Sequence, residues 1–101
     1  MSYRFMRMIV MFDLPVETNE DKRNYRKLRK MLIKNGFVMM QESIYCRMVL
    51  NQSVERSLVE VIKKNRPPKG VVQLLTITEK QFSKSIYITG KSESDLIDSD
   101  E

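Results

Sequence analysis

Five consecutive apolar residues, Met8-Ile9-Val10-Met11-Phe12, stand between Arg7 and Asp13. A run without alternation predicts a strand at the centre of a sheet, covered on both faces. Leu14-Pro15 ends it, because proline has no backbone N–H to continue a ladder. Thr18-Asn19-Glu20-Asp21 then offers capping oxygens and first-turn acids, which predicts a helix from about Asn19 to Asn35, stopped at Gly36. Tyr25, Leu28 and Leu32 form its buried stripe, with Met31 beside them.

Phe37 to Met40 and Ser43 to Leu50 read as strands, joined as a hairpin or as one bent strand through Gln41-Glu42. In the longer one Ile44, Cys46, Met48 and Leu50 share a face, and Ser43, Tyr45, Arg47 and Val49 share the other. Asn51 to Asn65 is a second amphipathic helix, capped by Asn51 or Ser53, with Val54, Leu58, Val61 and Ile62 facing inward. Arg66-Pro67-Pro68-Lys69-Gly70 is a rigid basic turn before a strand at Val71 to Thr78. The order β-α-β-β-α-β predicts an α+β, ferredoxin-like sandwich with the first and third strands central.

An added strand is expected at Ser85–Thr89. It either folds back as a hairpin or joins the sheet of a second copy, and the small core favours the homodimer. One domain over residues 1–90 and an acidic, disordered tail over residues 91–101 follow from composition.

Charge sharpens this picture. The formal net charge is +5, but residues 91–101 contribute −4, leaving +9 on residues 1–90. That density suits a polyanion, nucleic acid first. On the first helix Lys22, Arg23, Arg26, Lys27, Arg29, Lys30 and Lys34 are unopposed by any acid after Asp21. From Lys22 to Lys34 the helix spans about 18 Å, the reach of about five phosphates at roughly 3.4 Å each. A soluble basic face is the plainer account, yet such faces ordinarily mix both signs. Arg7 joins these candidates at the head of the first strand.

The chain has no histidine and one cysteine, Cys46. Imidazole catalysis, zinc sites of the usual kind and an internal disulfide are excluded, and a reducing cytoplasm without a leader or membrane span is expected. Asp13, at the carboxyl end of the first strand, is the candidate for chemistry: two copies across a dimer axis could share a magnesium ion and activate water. The alternative is that it only caps a turn. Tyr3, Phe5 and Phe12 could stack on bases, although Phe12 also fits a core.

Phe12-Asp13-Leu14-Pro15, Tyr25-Arg26-Lys27-Leu28-Arg29-Lys30, Gly36 and Gln41-Glu42-Ser43-Ile44-Tyr45 together resemble the CRISPR-associated protein 2 family, in wording like its subtype II-A branch. The resemblance implies a ferredoxin-like homodimer that bridges dimers of the CRISPR-associated integrase, protein 1, and holds double-stranded prespacer DNA during spacer acquisition. It also implies, as partners in this subtype, the RNA-guided effector nuclease and an accessory ring protein. Magnesium-dependent endonuclease activity is likewise described in the family, with its metal-binding aspartate matching Asp13. Phe12 stands where many members carry tyrosine. Three readings therefore stand: a DNA-holding adaptor, a metal-dependent endonuclease, and an RNA-recognition domain, which lacks the paired exposed aromatics it needs.

Overall fold

The computed structural model describes residues 5–90. Its elements run β1 (Met6–Asp13), α1 (Asn19–Lys34), β2 (Val38–Gln41), β3 (Ile44–Val49), α2 (Gln52–Lys64), β4 (Val71–Thr78) and α3 (Glu79–Ser83). The strands make one antiparallel sheet in the order β2-β3-β1-β4, the ferredoxin-like arrangement expected from the pattern. Tyr3 and the acidic tail over residues 91–101 lie outside the described residues.

Local chemistry sets the helix ends. Thr18 Oγ1 accepts from the Asp21 N–H at 2.9 Å, and Asp21 Oδ2 accepts from the Thr18 N–H at 3.2 Å, a complete capping box for α1. Those bonds, the one from the Thr18 backbone first, hold the Asp21 carboxyl below its ordinary value. Gly36, at a φ of 89°, turns the chain out of α1. Asn51 Oδ1 accepts from the Val54 N–H at 2.8 Å and starts α2.

Alternation along β1 puts Met8, Val10 and Phe12 against Leu28 and Leu32 of α1 and Leu58 and Ile62 of α2. Each such aliphatic side chain, taken fully from water, contributes roughly 1.5–3 kcal/mol. Register sets Val10 between Tyr45 and Leu74, so β1 is central as expected. Phe12 belongs to the core: its ring stacks on Tyr45 at 5.9 Å and meets the edge of Tyr25 at 5.7 Å.

Two expectations are corrected. The far face of β1 is not fully covered in the single chain, because Ile9 and Met11 are only half-buried there. Within the single chain no strand forms at 85–89: those residues make no ladder, Ile86 and Ile88 remain 76 % and 87 % exposed, and the hairpin alternative is thereby corrected. The segment lines a depression with Met40 and Gln41 of the β2 edge, yet no ladder joins them. Before it comes α3, opened by a second capping box, in which Thr78 Oγ1 accepts from the Gln81 N–H and Gln81 Oε1 accepts from the Thr78 N–H. The Thr-x-x-Gln spacing was its signal in the sequence.

Candidate nucleic-acid interface

The seven cations of α1 follow from its composition and from the stripe that anchors it. With Asp21, Leu28 and Leu32 buried, a helix of 3.6 residues per turn turns Arg23, Lys30 and Lys34 directly away from the core. Arg26 and Lys27 flank that line, and Lys22 and Arg29 fall on the side toward β2. All seven are exposed, and none forms an ion pair among the described residues.

Arg29 carries an added constraint. Its Nε–H donates to the Tyr45 hydroxyl at 3.1 Å, which satisfies a phenol on a residue only 1 % exposed. Tyr25 donates its hydroxyl to the Glu42 carbonyl at 3.1 Å, tying α1 to the β2–β3 turn. These residues, with Met39, line a cleft of about 520 Å³ on the β2 side of α1. Alternation grouped Tyr45 with Ser43, Arg47 and Val49 without saying which face the helices cover, and its partner on α1 has no signature in sequence.

Arg7 does not join this surface, and here the expectation is corrected. It points to the other side of the sheet, where its guanidinium meets Glu79 at 2.5 Å and 2.9 Å, donates to Cys46 Sγ at 3.6 Å and lies 4.4 Å from the centre of the Phe82 ring. The hydrogen bond to Glu79, above all, raises its pKa. A cation so engaged anchors α3 and has little left for a phosphate.

Asp13 is exposed at the last position of β1, opposite Val71. Its backbone is held by the β4 entry: a Cβ on Gly70, whose φ is 87°, would come within 2.6 Å of the Asp13 carbonyl oxygen. No group of three or more His, Cys, Asp or Glu side chains among the described residues could hold a metal ion. A single chain supplies one such ligand, Asp13, and the magnesium site that the sequence suggested is one that two copies would share.

The description CRISPR associated protein Cas2 belongs to the family model that matches residues 6–85. The chain belongs to the Cas2 family. It is 50 % identical over 96 residues to the CRISPR-associated endoribonuclease Cas2 of Treponema denticola, covering 95 % of each chain. It is 45 % identical over 95 residues to the protein of the same name from Streptococcus mutans, covering 94 % of this chain and 87 % of that one. Among solved structures, a Cas2 crystal structure superposes with a TM-score of 0.63 at 19 % identity, over 89 % of this chain and 92 % of the other, which shows a shared fold. The α+β expectation and the family resemblance are both borne out. No helix among the described residues is long and apolar enough to cross a membrane.

In this chain the two candidate sites are separate in space. The basic surface lies on the helix side of the sheet, whereas Asp13 ends the strand whose odd-numbered side chains, Arg7, Ile9 and Met11, point to the other side.

Proposed function

We propose that this Cas2-family chain acts as a homodimer that holds the phosphate backbone of double-stranded prespacer DNA on α1 during CRISPR spacer acquisition, between dimers of the integrase. The observation that carries the reading is the set of seven exposed cations on one helix, none in an ion pair among the described residues. Such a row binds phosphates through charge and counterion release, without reading sequence. The effector nuclease and the accessory ring protein are further partners of that assembly.

A second copy is supported by the open side of the sheet. Val38, Met48, Val71 and Leu75 are 61 %, 44 %, 60 % and 49 % exposed there, an apolar surface that a small soluble domain gains by covering. Ile86 and Ile88 supply an unpartnered segment for a neighbouring sheet edge.

The second reading is a magnesium-dependent endoribonuclease in which the Asp13 carboxylates of two copies share the ion. It is favoured by the exposed, strand-end position of Asp13 and by the name endoribonuclease that the relatives carry. Charge reversal at Arg26, Lys27 and Lys30 separates the two. The adaptor reading expects it to lower duplex affinity by about tenfold or more at moderate salt. Unchanged affinity in a folded variant defeats it.

A further inference from the structure

We infer that the cleft between α1 and the α2–β4 turn seats a backbone phosphate of the bound nucleic acid, so that the strand crosses from α1 onto the end of α2. This rests on the reading of α1 as a nucleic-acid surface and adds the path taken across it. Asn24 and Lys27 reach the cleft from α1, Lys64 from α2, and Asn65, Arg66 and Pro67 from its end and the turn. Three cations, one each from α1, α2 and the turn after α2, thus converge on one depression.

Among the described residues nothing neutralises them. No carboxylate lines the cleft, and Lys27, Lys64 and Arg66 form no ion pair among the described residues. The acids nearest in sequence are engaged elsewhere: Asp21 with Thr18 and, at 4.0 Å, with Lys69, and Glu60 with Lys63 at 3.9 Å. Like charges gathered this way repel one another until an anion arrives between them. Arg66 is also preset. Pro67 and Pro68 stiffen the backbone after it, and its Nη1 donates to the Lys63 carbonyl at 3.4 Å, while its other N–H groups have no side-chain bond among the described residues.

Size selects the ligand. At about 140 Å³ the cleft is below the roughly 300 Å³ at which small-molecule pockets begin, a size that suits a phosphate group better than a whole nucleotide. Contact at this point is therefore to backbone and independent of sequence. The larger cleft on the β2 side of α1 suits a polyanion less well, because it offers one cation, Arg29, and has Glu42 in its wall.

The path on the surface follows. Lys27 stands on the α2 side of α1, next to the outward line of Arg23 and Lys30, and so links that line to Lys64 and Arg66. A backbone held along α1 alone would leave Lys64 and Arg66 in solvent.

An acylation footprint and a salt series on the full chain with a DNA duplex test this. Duplex is expected to protect Lys27 and Lys64 from an amine-acetylating reagent, read by mass spectrometry. Lys64→Gln with Arg66→Gln is expected to reduce the slope of log affinity against log salt by about two and the affinity by about tenfold. If the unaltered chain binds with a steep slope, yet Lys64 is acetylated equally with and without duplex and the double variant keeps the full slope, the crossing path is overturned and the α1 reading stands. If the unaltered chain shows no salt-dependent affinity, both fall.

Discussion

Arg7 and Glu79 meet in a two-point ion pair, Nε to Oε2 at 2.5 Å and Nη2 to Oε1 at 2.9 Å, that fastens α3 across the sheet. Both side chains are about three-quarters covered, so the pair is shielded more than a surface bridge. Glu79→Gln keeps the shape and removes the charge. It is expected to cost about 1–3 kcal/mol and to speed amide exchange over residues 79–83 while β1 and β3 stay protected. Exchange that rises equally everywhere would mean that the pair supports the whole fold and not α3.

The Thr18–Asp21 box gives a pH dependence with a definite sign. Asp21 has a lower pKa in the folded chain than in the unfolded one, so its stabilisation is complete above the unfolded value and is lost as pH falls through the folded value. Melting temperature should therefore decline on acidification below about pH 4. Thr18→Ala should lower stability by about 1 kcal/mol at neutral pH and flatten that acid limb. Calorimetry over a pH series measures both.

Gly70→Ala should be among the more damaging small substitutions. The position has a φ of 87°, and the new Cβ would fall 2.6 Å from both the Asp13 carbonyl oxygen and Leu14 Cδ2. A cost of about 1–3 kcal/mol is expected by chemical denaturation, together with a shifted Asp13 backbone amide signal. An unchanged spectrum at Asp13 would show that the turn does not position that residue.

Asp13→Asn tests the two functional readings against each other. The adaptor reading expects duplex affinity to change by no more than about 0.5 kcal/mol, the range of ordinary surface substitutions. The endoribonuclease reading expects magnesium-dependent RNA cleavage by the purified chain to vanish. Cleavage that survives the substitution comes from another protein.

Much of this fold was written in periodicity. The apolar run of β1, the Tyr25-Leu28-Leu32 stripe and the Val71–Thr78 strand lie where the pattern put them, because each depends on local chemistry and on one buried face. At 85–89 the capacity to pair was legible, but alternation does not say which edge it takes, and within the single chain the segment pairs with none. Arg7 misled for a related reason. Its charge was legible, whereas its match to Glu79, distant in the chain, is a property of the folded sheet. Along α1 the cations were legible both in type and in position, because one helix supplies all of them.

The central claim is that α1 holds a phosphate backbone through its unpaired charges. Measuring duplex affinity across a salt series, for the unaltered chain and for Arg26→Glu/Lys27→Glu/Lys30→Glu, tests it most directly. Log affinity should fall linearly with log salt, at about 0.9 per phosphate engaged, and the triple variant should lose affinity and most of that slope. A flat salt dependence in the unaltered chain, or the same slope in both proteins, would contradict the account.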